Sequence, residues 1–532
     1  MDTTNLNSGA MPHQTAHAED EYDMEKSNLK DVNLGAEAHE VTLRDDHVKR
    51  NGPLWRFAEK LGKFGVEQRG IERYYPHERT QKSAWGCFWM WLAANTTVST
   101  FSLGTLGYSI WEMGFRDAAL TIIFFNLLAA IPVGIFSVWG PRTGMRQLAL
   151  SRFAFGYWTV MIPVVLNCIA CIGWSCINSI AGGLVLVAVS YDSTLKPIPI
   201  AAAIVVIAIS TLVVSFMGYR VVHIYEKYSW MPVAVIFLIY AVQVGRFGEN
   251  GSWGGTGEIE AASVLSFGAA VLGFAIGWVS LAADYSCQLP EDTSAVKVFL
   301  LTYFGVVIPC ILLEILGAAA ITTFAAKPTW SAAYDSNGLG GILAAPLIGP
   351  MGGFGRFLMV CLALSIISNN IPNMYSFALT FQVLGPWAQA IPRPILVCIG
   401  TGIYIALSIA GASHFESALD NLLLLLAYWL SIYAVIMLEE HYIFRKGSFT
   451  NWNFDDLDSP KRLPLGVAAF VALGLGWTGA VLGMSTTFYV GHIAHKIGLP
   501  AYGADLGFEL ALGFTAVTYL PLRYLEKRYQ KR

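Results

Sequence analysis

Three asparagines and a proline stand in the middle of an apolar run. Ser368-Asn369-Asn370-Ile371-Pro372-Asn373 lies inside the stretch from Phe357 to Leu384. Hydrocarbon offers no water to amide groups, so each costs several kcal/mol unless protein, ligand or a wet cavity pairs it. Pro372 adds to the problem by removing a backbone donor and freeing a carbonyl one turn back. Polar groups at such depth mark a functional site by default. Three other apolar runs hold matching material. Trp174 and Asn178 are four residues apart and share one helix face, as do Asn369 and Asn373. Gly277-Trp278 sits beside a glycine-interrupted stretch, and Ser99 and Thr100 follow Asn95-Thr96-Thr97. Two indoles with amides and a hydroxyl suit a flat heterocycle with a polar edge. The indoles would stack on its faces. A carboxamide sets donor beside acceptor and so matches an amidine or lactam edge. A sugar would need more hydroxyl acceptors, and an amino acid would need a charge partner.

Each residue also has a plainer reading. A single tryptophan is more often packing or interface belt, and Asn178 alone could be glue between helices. One of the three clustered asparagines is expected to cap broken backbone near Pro372. Spacing does not separate Ser99 from Thr100. Among ionisable groups, Glu226 opens an apolar run, Glu314 lies near the middle of one and Asp284 ends one. A carboxyl at low dielectric can carry a proton, although Glu226 could instead pair with Arg220 or Lys227, and Glu314 could be a hydrogen-bonded structural acid. His492-x-x-His495 has no nearby cysteine and is a poor metal site.

The elements that must position these residues are membrane spans. The 532-residue chain is 55% hydrophobic and only 13% charged, about half the charge of a soluble chain. A net charge of −3 argues against a nucleic-acid partner. The eight cysteines lie in or at the ends of apolar runs and read as free thiols. Cys168-x-x-Cys171 is one turn of a span, more in keeping with packing than with redox chemistry. Residues 1–83 are polar, hold no cleavable signal core and form a cytosolic tail. Residues 1–50 of it read as disordered. Lys26 and Lys30 there are candidate sites for regulatory modification, with a ubiquitin ligase as the partner class, though unused surface lysines are the plainer reading. Leu54, Phe57, Leu61 and Phe64 form a stripe suited to a short helix on the membrane surface.

A span needs about 20 apolar residues. Candidates are 84–110, 117–139, 157–189, 197–217, 228–246, 262–286, 298–324, 353–383, 394–412, 420–442, 463–485 and 502–522. With the N-terminus inside, lysine and arginine favour the interior loops, and the basic 523–532 tail is also inside. Span one is interrupted around Asn95–Thr100 and span six around Gly273–Gly277, five spans later. This spacing predicts an all-α polytopic membrane protein of twelve transmembrane helices. Residues 84–246 and 262–442 form a five-plus-five inverted repeat with broken helices 1 and 6, and 463–522 add two accessory helices.

Taken together, these stretches resemble the nucleobase–cation symporter family, and within it the fungal purine–cytosine permeases. The resemblance runs over about residues 60–525 in the same span order. It is carried by Gly65-Val66-Glu67-Gln68-Arg69-Gly70-Ile71-Glu72-Arg73, by Gly140-Pro141-Arg142-Thr143-Gly144-Met145-Arg146-Gln147, by Ser151-Arg152-Phe153-Ala154-Phe155-Gly156, and by Trp174/Asn178, Trp278 and Asn369–Asn373. It implies a LeuT-like fold and uptake across the plasma membrane. It also implies that Trp174 and Trp278 sandwich a base, that Asn178 and Asn373 bond its edge, and that Ser99 lines the site. Thr100, Gly277, Asn369 and Asn370 then support the site, and Glu226 matches a carboxylate needed for coupling. Sodium-coupled bacterial relatives carry two adjacent hydroxyls just before the asparagine stretch. Here the pair is Ile367-Ser368, which speaks for a co-transported proton and no other cofactor. The resulting expectation is a proton symporter for cytosine, adenine, guanine and hypoxanthine. A same-fold importer of uracil, allantoin, uridine, thiamine or pyridoxine is the alternative. A channel would need a continuous file of polar groups rather than one cluster at one depth. No nucleophile–base pair or phosphate loop points to an enzyme.

Overall fold

Helices account for nearly all the regular structure of the computed structural model, which describes residues 55–56, 70–194, 196–216, 225, 227–248, 251–498 and 502–530. In chain order the longer helices are α1 (Trp85–Asn95), α2 (Val98–Ser109), α3 (Phe115–Thr143), α4 (Met161–Val187), α5 (Ile200–Phe216), α6 (Trp230–Gly245) and α7 (Glu258–Ile276). They continue with α8 (Ala295–Ile321), α9 (Pro328–Met351), α10 (Gly353–Gln382), α11 (Arg393–Gly411), α12 (Phe415–Glu439), α13 (Val467–Gly483) and α14 (Gly507–Gln530). Six helical stretches among the described residues are long and apolar enough to cross a membrane, and three shorter ones are also apolar. The one small hairpin pairs Ser485–Thr486 with Tyr489–Val490 among those residues.

The packing follows from which helix faces lack charge. α4 lies along α10, α3 along α8, and α13 along α14. The α1–α2 pair leans on α8 and α10, while α7 leans on α3 and α12. These contacts bury Ser266–Ile276 of α7 and Ser365–Met374 of α10, and the buried part of α10 carries site candidates. The outward faces of α3, α5, α6 and α11 expose large aliphatic and aromatic side chains such as Phe124, Val206, Leu238 and Leu407. That is the surface a lipid-facing bundle presents.

Three features refine the sequence reading. The α7 break falls at the C-terminal edge of the expected Gly273–Gly277 stretch, after Ile276, as turns through Gly277–Leu281 leading to a 3₁₀ turn at Ala282–Tyr285. Gly273 is there for close approach, since a Cβ on it would run into the Leu423 carbonyl of α12. Second, the segment between the expected spans 298–324 and 353–383 forms α9. It bends at Gly338 (φ 51°, ψ −131°) and is formed by packing on α4 and α10. Third, α10 runs unbroken through Pro372, and within it Asn373 Nδ2 donates to the Asn369 carbonyl at 3.0 Å. The tail with Lys26 and Lys30, and Leu54, Phe57, Leu61 and Phe64 of the expected surface helix, lie outside the described residues. Within that segment Trp55 Nε1 donates to the Ala390 carbonyl at 2.8 Å.

Candidate functional site

The α1–α2 break creates the site's framework. Thr96 and Thr97 leave helical geometry, with Thr97 extended at φ −138°, ψ 166°. The carbonyls of Ala93, Ala94 and Asn95 therefore lack helical donors, whereas Leu92 O still accepts from Thr96 N at 2.9 Å. Side chains supply the missing donors and add to the turn before. Asn95 Nδ2 donates to Trp91 O at 2.8 Å and Thr96 Oγ1 to Leu92 O at 2.6 Å. Ser368 Oγ donates to Ala93 O at 3.0 Å and Asn369 Nδ2 to Ala94 O at 2.6 Å. Thr100 Oγ1 donates to Asn95 O at 2.6 Å. Two of these five donors come from α10, so the asparagine stretch caps the broken α1.

Asn178 of α4 is the hub of the cluster. Its Oδ1 accepts from Ser99 Oγ at 2.7 Å, and its Nδ2 donates to Asn369 Oδ1 at 2.7 Å and to Asn370 Oδ1 at 3.0 Å. Asn373 Nδ2 donates to Asn369 Oδ1 at 2.9 Å and to Asn369 O at 3.0 Å. Asn370 Nδ2 makes a long bond to Ser179 Oγ at 3.4 Å. Ser99 and Thr100 are thereby separated: Ser99 faces the amides, and Thr100 faces its own chain.

The indoles flank this cluster. Trp278 Nε1 donates to Asn95 Oδ1 at 2.9 Å, which ties the end of α1 to the segment after α7. Trp91 meets the Trp278 ring edge-on, with centroids 5.1 Å apart. Trp174 meets Phe274 edge-on at 5.1 Å. A Cβ on Gly277 would stand 3.3 Å from Trp174 Nε1, so the small residue brings the α7 end close under that indole. The structure thus brings Ser99, Trp174, Asn178, Gly277, Trp278, Asn369, Asn370 and Asn373 to one buried place between both interrupted helices. Every member of this cluster is neutral. Its amides can donate and accept but bring no charge.

Glu226 is outside the described residues. Tyr225, beside it, donates to Leu364 O of α10 at 3.0 Å. No group of metal-binding side chains occurs among the described residues, His492 and His495 included.

Two further regions frame the site. At the α2 C-terminal end, a cavity of about 960 Å³ is lined by Trp111, Leu184, Asn337, His414, Asp420 and Tyr502, among others. Its wall at Ser109–Trp111 lies about 15 Å along α2 from Ser99 at 1.5 Å per residue. Toward the opposite end a polar layer closes the bundle. Arg146 Nη1 donates to the Asp284 carbonyl at 2.7 Å, and Nη2 donates to Tyr375 Oη at 2.8 Å and Tyr74 Oη at 3.1 Å. The Asp284 carboxylate accepts from Gln147 N at 2.8 Å and from Ser376 Oγ at 3.3 Å. Tyr285 Oη donates to Pro372 O at 2.9 Å. Asn95 and Arg146 were not singled out as site residues. Asn95 was detectable as a carboxamide within the interrupted stretch, and Arg146 as one of two arginines in a short glycine-flanked loop.

With this geometry in place, the comparisons are specific. Residues 74–456 match the family model described as "Permease for cytosine/purines, uracil, thiamine, allantoin". The chain is 45% identical over 481 residues to purine-cytosine permease fcyB of Emericella nidulans, covering 90% of this chain and 91% of that protein. It is 39% identical over 476 residues to purine-cytosine permease FCY2 of Saccharomyces cerevisiae, covering 89% and 88%. In fold it is similar to Mhp1, a nucleobase-cation-symport-1 family transporter solved closed with bromovinylhydantoin bound. The TM-score is 0.64 at 16% identity, over 88% of this chain and 96% of that one.

Proposed function

The chain belongs to the family of permeases for cytosine and purines, uracil, thiamine and allantoin, and we propose that it is a proton-coupled symporter importing cytosine and purines. Adenine, guanine and hypoxanthine are the purines meant, the plasma membrane is the site of action, and alternating access is the mechanism. The observation that carries this reading is the Asn178-centred amide cluster between Trp174 and Trp278. A base slides between the indoles, where stacking contributes about 1–3 kcal/mol. Its edge replaces amide–amide bonds with amide–base bonds. Asn373 is the readiest to exchange, because its amide is held only by its own helix one turn back. Asn178 presents the second edge contact and Ser99 orients Asn178.

The finer architecture belongs to the same proposal: twelve spans with both termini cytosolic, five-plus-five with two accessory helices. Packing supports it through a reciprocal pattern. The first broken helix packs on α8, and the second, α7, packs on α3. These are the exchanged partners that an inverted repeat requires. In that orientation the Arg146 layer faces the cytosol and the large cavity faces outside.

For the coupling ion, Ile367 leaves Ser368 alone at the position facing α1, and the Ser368 hydroxyl is spent on Ala93 O and Ser365 O. That favours a proton over sodium, with Glu226 as a coupling carboxylate. The test is uptake of radiolabelled cytosine at two external pH values, competed by adenine, hypoxanthine, uracil and allantoin. Competition by the purines and faster uptake at acid pH are expected. Sodium-dependent uptake indifferent to pH and protonophores overturns the coupling, and competition by uracil or allantoin alone overturns the substrate class. The neutral amide hub would also suit a lactam edge, so a same-fold importer of uracil or allantoin is the second reading, and the same panel separates the two.

A further inference from the structure

One buried carboxyl has no place in the account above. Glu314, two turns before the C-terminal end of α8, is fully buried. Its Oε2 accepts from Asn126 Nδ2 of α3 at 2.7 Å. Its Oε1 has no hydrogen-bond partner, and neither does Asn126 Oδ1, although both are buried. The pair therefore holds two orphaned acceptor oxygens and lacks a donor. A bare carboxylate held by a single amide is an expensive state in a dry interior. A proton on Glu314 removes the charge and supplies the missing donor in one step.

The surroundings offer no other means of compensation. Asn126 is what α3 contributes, α2 contributes backbone at Gly104, and Cys310 lies one turn back on α8 itself. No charged group of α1, α6 or α7, which also pack on α8, acts on Glu314 among the described residues. The group is thus isolated from ion pairs, unlike the buried Glu440, which is paired with Arg523 and Arg445 at the end of α12.

Its position connects it to the site. α2 and α8 touch backbone to backbone here: a Cβ on Gly104 would land on the Glu314 carbonyl, and one on Gly317 would meet the Phe101 carbonyl. α2 is the half-helix whose first turn presents Ser99 to Asn178. A change at Glu314 therefore reaches the amide cluster through one rigid element with no side chain in between.

We propose that Glu314 is a proton-binding residue of the transport cycle, with Asn126 as its positioning partner. The carboxyl is protonated when α2 packs on α8 as seen here, and loss of that proton accompanies movement of α2 away from α8. The proposal rests on the proton-coupled reading and adds a second carboxyl to Glu226.

The experiment uses the purified full chain in proteoliposomes with radiolabelled cytosine and an acid-outside pH gradient. Wild type accumulates cytosine, and a protonophore abolishes the accumulation. Glu314→Gln, a permanently neutral stand-in, keeps cytosine exchange between equal internal and external pools. It loses accumulation above the external concentration and loses the pH dependence of exchange. Asn126→Ala removes the donor that steadies the carboxylate, so protonation persists to higher pH. Its pH profile shifts alkaline by about one to two pH units, the equivalent of one charge-assisted hydrogen bond. Glu314→Gln with wild-type accumulation and pH profile overturns the proposal, as does Glu314→Gln that inserts but has lost exchange. If Glu314→Gln does not fold, Asn126→Ala decides: an unshifted profile overturns the proposal. A wild type that accumulates cytosine without regard to the pH gradient overturns the coupling reading itself, which the variant arms do not address.

Discussion

Five neutral polar side chains meet between the broken helices, and about one turn further along α10 a guanidinium, a carboxylate and two tyrosines form a second polar layer. Both regions are buried, and both bridge helices that are distant in sequence. They differ in what their bonds can be exchanged for. The carboxamides of Asn178, Asn369 and Asn373 bond to one another, and a ligand edge carrying a donor beside an acceptor replaces those bonds at little net cost, since a neutral hydrogen bond is worth about 0.5–1.5 kcal/mol. The Arg146 layer uses a charged donor, whose bonds are worth about 1.5–3 kcal/mol each, and two tyrosine rings stand within 5.3 Å of its guanidinium carbon. Nothing shaped like a base replaces that. The first region is suited to recognition and the second to holding one conformation.

Substitutions break or sharpen this contrast. The largest effect is expected at Asn178, because Asn178→Ala removes three bonds to two other helices at once. With about 1–3 kcal/mol for each buried partner left unsatisfied, cytosine affinity should fall on the order of 100-fold or more in a binding assay. Arg146→Ala should act in the opposite manner, leaving cytosine affinity near wild type and lowering maximal uptake. Cys287, fully buried beside Asp284, should then react with a thiol reagent roughly tenfold faster in a Cys398→Ser background, as the loss of about 1.4 kcal/mol of closure implies. Trp278→Phe keeps a ring but loses the donor to Asn95, and a roughly fivefold loss of affinity is expected for one hydrogen bond. Asn370→Ala is the mildest, since its own donation to Ser179 is long. Uptake within about threefold of wild type would mark it as a spacer at the edge of the cluster.

The sequence exposed the cluster because polar residues are conspicuous in apolar runs. Asn369, Asn370 and Asn373 stood out for that reason, and helical spacing paired Trp174 with Asn178. The break at Thr96–Thr97 was legible from consecutive polar residues. What remained hidden depends on packing. Gly273 looked like a breaker, but it is the point where α7 meets the α12 backbone, a contact between residues 150 positions apart. α9 forms outside the expected spans, where tertiary contacts with α4 and α10 override its glycines and prolines. The freed carbonyl beside Pro372 is visible in sequence, whereas the proximity of Ala94 O to Asn369 is not. Arg146 was visible as a basic loop residue, which orientation arguments count and then set aside.

The central claim is that a base binds between Trp174 and Trp278 against Asn178 and Asn373. Equilibrium binding of radiolabelled cytosine to the purified protein tests it most directly, comparing wild type with Trp174→Ala and Asn373→Ala. The account predicts saturable binding to wild type that adenine and hypoxanthine displace and that both variants lose. Cytosine binding of wild-type affinity in either variant would contradict it.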